Sequence, residues 1–259
     1  MTDTLALPPE EKTVKRVDVP RNGLLPLEYR VRMANRQTRR GETLQPQIHC
    51  VHLGLTAYAQ ALQVQRRWHA WCVARRTNVL LLTQHQPVIT LGYRRPYEQI
   101  KLSAAQLREK GLHVEYVERG GGATYHAPGQ LVVYPVFSSL LQRYGVRRFV
   151  TQLEEVMRQT CLRFGVHTSR QDGYLGVWVD EKKIGAVGIA VRKRVSLHGF
   201  ALNVDLDLRP FADIVPCGLA DRGVTSLQQE CARPIAFSDV ERAVVENVAS
   251  IFEARMEGV

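Results

Sequence analysis

The stretch RGGGATYHAPGQLVVYPVF, residues 119–137, places three glycines, a histidine and a Pro-Gly turn directly before an apolar run. The apolar residues 131–137 predict a strand. The segment LHVEY, residues 112–116, alternates apolar and polar side chains and predicts a half-buried strand before the loop. The glycine loop therefore joins two predicted strands, where backbone without Cβ atoms can approach a ligand closely.

Outward from this loop, predicted strands and helices follow one another without a regular β-α alternation. Further strands are predicted at residues 78–83, 87–92, 176–179, 183–191 and 196–204. Helices are predicted at residues 56–76, 103–111, 146–164 and 238–255. The last three of these strands are joined by tight turns and form an antiparallel meander. The order indicates an α+β fold with a mixed, largely antiparallel sheet flanked by helices.

The composition suits one folded domain with an extension. The chain has 259 residues, of which 45% are hydrophobic, enough for a sizeable core. Residues 1–46 show weak hydrophobic periodicity and scattered charges, and are predicted to be a flexible basic N-terminal extension ahead of a domain at 47–259. No signal peptide or membrane span is recognised. We expect a cytoplasmic protein, with a mitochondrial or plastid matrix as the alternative because the first 45 residues carry seven arginines.

The charge and cysteine content narrow the function classes. A net charge of +10 favours an acidic partner, and the lack of zinc-finger or arginine-rich motifs favours a protein over nucleic acid. Five cysteines without a CxxC pair predict reduced thiols, and no histidine or cysteine spacing predicts a metal site. The glycine loop lacks the G-K-[ST] of a phosphate-binding P-loop and the GxGxxG of a dinucleotide site.

Cys217 is the cysteine that the sequence presents for chemistry. It lies in the turn PCGL, residues 216–219, after a polar segment, whereas Cys161 lies among apolar neighbours on a predicted helix. A reactive thiolate needs a base or a cation nearby. Lys183 opens the apolar strand KIGAVGIAV, where partial desolvation would lower a lysine pKa and let it accept a proton. His126 and His198 are alternatives for that neighbour.

Four motifs in this order resemble the octanoyl-[acyl-carrier-protein]:protein octanoyltransferase family, a group with the fold of biotin and lipoate protein ligases. They are RGGGATYHAPGQLVVYP (119–135), KKIGAVGIAV (182–191), SLHGFALNVDLDL (196–208) and FADIVPCGL (211–219). The segments HLGLTAYAQALQVQ (52–65) and LLLTQHQPVITLGYR (80–94) also resemble its N-terminal part. The similarity covers about residues 48–256.

The resemblance implies a reaction and a set of site residues. An octanoyl or lipoyl group passes from an acyl carrier protein thioester to a lysine of a lipoyl domain, without a cofactor. The acceptors would be lipoyl domains of 2-oxoacid dehydrogenase complexes and the glycine cleavage H protein. Cys217 would carry the acyl-thioester intermediate, Lys183 would stand beside it, and loop or turn N–H groups would hold the oxyanion. The implied substrate-binding residues are Arg119, Gly120, Gly121, Gly122, Ala123, Thr124, Tyr125, His126, Ala186, Val187, Gly188, Gly199, Phe200 and Ala201.

Two other functions are weighed against this one. An ATP-dependent lipoate or biotin ligase of the same fold would need no cysteine, which the PCGL turn argues against. A basic nucleic-acid-binding module would show salt-sensitive binding and indifference to Cys217. One departure from the family motif is Ala127, where the family commonly has glycine; because the next residue is proline, an extended Ala127 would fit without strain.

Overall fold

The structure is a computed structural model that describes residues 45–94, 97–215 and 222–258. The strands are β1 (Gln47–Thr56), β2 (Asn78–His85), β3 (Val88–Leu91), β4 (His113–Tyr116), β5 (Ala123–His126), β6 (Gln130–Phe137), β7 (Ser169–Gln171), β8 (Tyr174–Val179), β9 (Lys182–Arg192), β10 (Val195–Asn203) and β11 (Arg255–Glu257). The helices are α1 (Tyr58–Arg75), α2 (Ala104–Glu109), α3 (Ser139–Arg163), α4 (Leu227–Glu230) and α5 (Phe237–Ile251). The N-terminal extension predicted at 1–46 lies outside the described residues up to position 44.

Eight strands form one large sheet in the order β11-β1-β2-β6-β10-β9-β8-β7. β1 runs parallel to β2 and β11, and the other neighbours are antiparallel. The predicted mixed, largely antiparallel sheet flanked by helices is therefore confirmed. Strand β1 was not predicted.

Alternation along the central strands gives the sheet two apolar faces. Leu80 and Leu82 of β2 pack with α3 and α5 on one face, whereas Val79 and Leu81 pack with α1 on the other. Successive side chains of a strand point to opposite faces, so a continuous apolar run buries both. The core consequently lies on both sides of the large sheet.

A smaller sheet, in the order β4-β3-β5, carries the glycine loop. β5 comprises residues that the sequence placed in the loop, and it pairs antiparallel with β3. Four residues give too short a pattern to predict a strand, and the pairing with β3 supplies what local sequence lacks. Ala127, just after β5, is buried and does not have a positive φ, as expected of a residue before proline.

Two glycines let backbone segments meet around the loop. A Cβ at Gly92 would overlap the carbonyl oxygen of Gly121, and one at Gly188 would lie 3.0 Å from the carbonyl oxygen of Gly120. Gly120 in turn donates its N–H to the carbonyl of Ile189 at 3.0 Å. These contacts fix the glycine loop between β3 and β9.

We expect Gly92→Ala to destabilise the protein, because its Cβ meets backbone that no rotamer change can move. The loss should be about 1–3 kcal/mol in the free energy of unfolding, as for overpacking elsewhere. Urea unfolding would measure it. Gly120→Ala is the control from the facing loop, since its Cβ would meet only the Ile189 carbonyl at 3.7 Å. Equal losses in the two variants would contradict this interpretation.

Candidate active site

A cleft with about 480 Å³ of space, part of it open to solvent, lies between β5, β6, β9 and β10, and we call it the main cleft. Eleven predicted binding residues line it, namely Arg119, Gly120, Gly121, Thr124, His126, Ala186, Val187, Gly188, Gly199, Phe200 and Ala201. Tyr58, Val132, Tyr134 and His198 complete the lining. The structure thus brings the glycine loop and β5 together with the β9–β10 hairpin, which comes much later in the sequence.

Three predicted binding residues do not line the main cleft. Ala123 and Tyr125 point to the opposite face of β5 and are buried in the core of the small sheet. Gly122 faces Gln99, whose Oε1 accepts the N–H of Ala123 at 2.7 Å. The two-residue period of β5 is the physical reason, since it directs only Thr124 and His126 toward the cleft.

A second cavity of about 330 Å³, the lysine pocket, adjoins the main cleft. Its lining comprises Thr124, Gln130, Lys183, Gly185, Ala186, Ala201, Asn203, Phe211 and Val224. Thr124, Ala186 and Ala201 line both spaces. The two spaces therefore lie side by side along β9 and β10. Neither His126 nor His198 lines the lysine pocket.

Lys183 is buried, with 8% of its surface exposed. Its Nζ donates to the carbonyl of Leu175 at 3.1 Å and lies 4.7 Å from the centre of the Trp178 ring. Arg222 lies over the same indole at 5.3 Å. A carbonyl and an aromatic face are the environments that stabilise a desolvated ammonium, so the chain holds this amine in place beside the cavity.

The segment containing Cys217 lies outside the described residues, but both of its flanks are in place. Upstream, Phe211 lines the lysine pocket, and Val215 donates its N–H to the Gln99 carbonyl at 2.7 Å. Downstream, Val224 lines the same pocket and forms a bridge with Lys183. The chain on either side of residues 216–221 is therefore anchored at the lysine pocket.

Tyr58 and Tyr134, which line one wall of the main cleft, belong to a chain of hydrogen bonds that continues to the buried His85. His85 Nδ1 donates to the Thr56 carbonyl at 3.2 Å, which leaves its Nε2 to accept from the Tyr134 hydroxyl at 2.7 Å. Tyr134 is in turn hydrogen-bonded to Tyr58. Burial lowers the pKa of His85 to about 4 and raises that of Tyr58 to about 12, so this wall is uncharged at neutral pH.

A second polar chain connects the main cleft with the lysine pocket. Gln130 donates to Asn203 Oδ1 at 2.9 Å, and its own Oε1 accepts from His126 Nδ1 at 2.7 Å. Asn203 donates to the carbonyl of Thr225 at 2.8 Å, and the Thr225 N–H donates to the carbonyl of Lys183 at 3.0 Å. Burial lowers the pKa of His126 to about 3, and the ring is a neutral positioning group.

Arg119 serves the loop more than the cleft. Its Nη2 donates to the carbonyl and to the hydroxyl of Thr90, both at 2.8 Å, and its Nη1 donates to the Gly120 carbonyl at 3.0 Å. The buried guanidinium therefore fastens the glycine loop to β3. Among the described residues, no group of three or more His, Cys, Asp or Glu side chains is placed to hold a metal ion.

Comparison with known proteins decides the family. The family described as "Lipoyl protein ligase A/B catalytic domain" matches residues 57–249. A protein of Caldicellulosiruptor saccharolyticus named "Octanoyltransferase" is 42% identical over 211 residues, which cover 80% of this chain and 90% of that protein. Its counterpart in Caldicellulosiruptor bescii is 44% identical over 208 residues, covering 79% of this chain and 91% of that protein. The chain belongs to the octanoyltransferase family.

Solved structures support the fold of the octanoyltransferase family seen here. Lipoate-protein ligase A bound with ATP has a TM-score of 0.66 at 16% identity and covers 83% of this chain and 88% of that one. The putative lipoate protein ligase of T. acidophilum with bound lipoic acid has a TM-score of 0.65 at 17% identity, with the same coverage. At such identities the likeness shows the shared fold alone. The alternative of an ATP-dependent ligase is therefore less supported than the octanoyltransferase assignment.

Several site residues were not predicted. Tyr58 and Tyr134 reach the cleft from α1 and β6, where their spacing also fits plain core positions. Trp178 was assigned to a strand without a role, although it lies under Lys183. A lone aromatic residue in an apolar strand carries no local signal of its cationic neighbours, which come from other strands and loops.

We expect stability to fall as the pH drops from about 6.5 to about 4. His85, His126 and His198 have pKa values of about 4, 3 and 4 in the folded chain, below the 6.5 of an exposed histidine. The unfolded chain then binds more protons, so acid favours unfolding by up to about 4 kcal/mol per pH unit from the three groups together. Above pH 6.5 their contribution is constant.

Urea unfolding of the native protein and of His126→Gln, from pH 4.5 to pH 8, would measure this dependence. The variant should lose about 1.4 kcal/mol per pH unit of the slope in the acid range, the share of one proton. Parallel curves for the two proteins would show that His126 is not buried neutral.

Proposed function

We propose that this chain transfers an octanoyl or lipoyl group from an acyl carrier protein thioester to the acceptor lysine of a lipoyl domain, with Cys217 as the acyl-carrying nucleophile. Membership of the octanoyltransferase family implies a carrier donor and a lipoyl-domain acceptor in general. The observation that carries the mechanism is that the main cleft and the lysine pocket adjoin, sharing Thr124, Ala186 and Ala201, with both anchors of the Cys217 segment beside the lysine pocket.

The main cleft suits an unbranched acyl chain. Its floor is built from Ala186, Val187, Gly188 and Ala201 on adjacent antiparallel strands, with Val132 opposite Ala201. Burying one methylene of a chain there is worth about 0.8 kcal/mol. The cleft therefore binds the acyl group by burying its apolar surface. The tyrosine and histidine side chains of the wall are neutral, so binding the acyl group does not require them to lose the hydration of a charge.

Lys183 is the group that supports the nucleophile. A fixed ammonium beside a cysteine favours its thiolate, and the neutral amine can take a proton from an attacking lysine. Two peptide units join Val215 to Cys217, so their Cα atoms can be at most about 7.6 Å apart. The Gly223 carbonyl on the other flank accepts the Lys183 N–H at 2.9 Å.

The proposed reaction balances in two steps. The Cys217 thiolate attacks the carrier thioester, forming the acyl-cysteine thioester and breaking the bond to the carrier thiolate, which takes up a proton. The acceptor amine then attacks the acyl-cysteine, forming an amide and releasing the Cys217 sulfur, while the proton of the amine passes to Lys183. A thioester is already activated, so no ATP is consumed.

The glycine loop contributes fewer oxyanion donors than its sequence suggests. The Gly120 N–H is bonded to the Ile189 carbonyl, and the Ala123 N–H to Gln99 Oε1 at 2.7 Å. Neither is available for a substrate oxygen unless the loop moves. This favours N–H groups at the Cys217 turn for stabilising the tetrahedral intermediate.

We also propose that residues 47–259 form the catalytic domain. The acceptor proteins would be acidic, and the compartment would be a reducing one. Lipoyl domains of 2-oxoacid dehydrogenase complexes and the glycine cleavage H protein are the proposed acceptors, and the net charge of +10 suits acidic partners. Cys50, Cys72, Cys161 and Cys231 are all free, which supports the cytoplasm as the location. No helix among the described ranges is long and apolar enough to cross a membrane.

We expect incubation with octanoyl carrier protein to add one octanoyl mass to the protein, mapped to Cys217 by peptide mass spectrometry. Cys217→Ser should lose the thioester adduct and nearly all transfer. Burial raises the pKa of Cys50, Cys72 and Cys161 to about 11, 12 and 12, so these thiols should stay unmodified. An adduct on another cysteine, or transfer that needs ATP, would overturn the proposal.

We expect Lys183→Ala to lower kcat by 10²–10⁴, the usual contribution of a general acid-base group. Lys182→Ala is the matched control: the neighbouring ammonium is exposed, lies 3.8 Å from Glu230 and lines neither cavity. Steady-state transfer to a lipoyl domain, with thermal unfolding of both variants, would separate catalysis from folding. Similar losses in both variants would remove Lys183 from the mechanism.

A further inference from the structure

His198 is a buried histidine that the proposed mechanism does not use. It lines the main cleft and is 1% exposed. Neither of its ring nitrogens has a hydrogen-bond partner within the described part of the chain, and the nearest carboxylate oxygen, on Glu118, is 3.9 Å from Nε2. His85 and His126 differ from it, because each has a ring nitrogen hydrogen-bonded to a neighbouring side chain.

The backbone at His198 is held in an unfavourable conformation. Its φ is +58°, in the left-handed region, within a strand. Its N–H donates to Oε1 of the buried Gln65 at 2.7 Å, which fixes this local kink from α1. A strained residue with an unpaired polar ring lowers stability, and such features concentrate at functional sites. The cleft is where this ring can act.

The strand register places His198 at the end of the cleft remote from Lys183. Ala201 pairs with Ala186 where the two cavities meet, and His198 pairs with Ile189, three residues farther along β9. Three strand steps span about 10 Å. Seven carbon–carbon bonds of about 1.5 Å give an octanoyl chain at most about 10 Å of length. A chain whose carbonyl lies where the cavities meet therefore ends at the His198 ring.

Beyond His198 the surroundings become ionic. Glu118, which is not among the residues lining the main cleft, has a carboxylate oxygen 3.9 Å from Nε2 of the imidazole and 3.5 Å from Nη2 of Arg66. A longer hydrocarbon chain would have to displace the ring and press against these charged groups, which costs desolvation with no new apolar contact. The size of the His198 ring and the charge of the neighbouring Glu118 and Arg66 side chains therefore both disfavour a longer acyl chain.

We propose that His198 is the end wall of the acyl cleft and limits the length of the acyl chain to about eight carbons. This inference rests on the proposed function for the identity of the chain. It makes His198 a specificity-determining residue with no part in either transfer step.

Binding of free fatty acids tests the inference without any chemistry. In an open apolar groove each added methylene should tighten binding roughly fourfold. We expect calorimetry on the full chain to show this gain up to octanoate and its loss at decanoate and dodecanoate. In His198→Gly the gain should continue beyond octanoate, because glycine tolerates the positive φ and leaves the end open.

Two further variants distinguish a change in the acyl chain-length limit from a general enlargement of the cleft. His198→Asn keeps a polar group and tolerates the left-handed backbone, and should extend the limit less than glycine does. Val187→Ala enlarges the cleft at its side and should weaken all chains without changing their order. An unchanged length profile in His198→Gly, with folding verified by thermal unfolding, would overturn the assignment, as would an equal shift in Val187→Ala.

Transfer assays distinguish failure of this inference from failure of the proposed function. If the native protein transfers octanoyl from its carrier, the ratio of kcat/KM for dodecanoyl to that for octanoyl should rise at least tenfold in His198→Gly. If the native protein transfers octanoyl but the kcat/KM ratio is unchanged in His198→Gly, only the role of His198 is contradicted. A native protein that transfers no acyl group but shows the expected fatty-acid profile would sink the proposed reaction and leave His198 as the cleft limit.

Discussion

The antiparallel pairing of β9 with β10 is the constraint on which the site depends. It pairs β10 with Gly185–Arg192 of β9, and Lys183 lies two residues before this ladder, about 16 Å from Gly188 at the usual strand rise. The same ladder sets Ala201 opposite Ala186 and closes the far end with His198. A shift of one residue in this register would turn each of these side chains to the other face of the sheet.

The buried polar side chains near this pair of strands have two roles. Some hold segments of the protein in place, and Lys183 acts in the proposed reaction. Arg119, Gln130 and Asn203 are buried and donate hydrogen bonds within the protein, which hold the glycine loop, β5 and the segment at Thr225 in place. Lys183 is held by a carbonyl and an indole, neither of which neutralises its charge. The arrangement places the Lys183 ammonium beside the lysine pocket and out of bulk water, where a charge acts on a sulfur or an amine most strongly.

The glycines have a different role from the one their sequence suggests first. From the sequence alone, the bare backbone of residues 120–122 is predicted to contact a ligand. In the fold, Gly92 and Gly188 admit the carbonyls of this loop, and Gly122 admits the side chain of Gln99. Gly120 and Gly121 do line the main cleft. The glycines therefore let segments of the protein pack closely against one another, and Gly120 and Gly121 also leave backbone accessible in the main cleft.

The sequence by itself determined the fold class, the family and most residues of the cleft, because strand periodicity and four ordered motifs are local properties of the chain. It also selected Lys183 from the apolar strand that follows it. Tertiary structure alone decided that Ala123 and Tyr125 face away from the cleft, that Lys183 and Arg222 both lie over the Trp178 indole, and that His198 lines the cleft. Those facts depend on which strand lies beside which, and pairing between distant segments leaves no local pattern in the sequence.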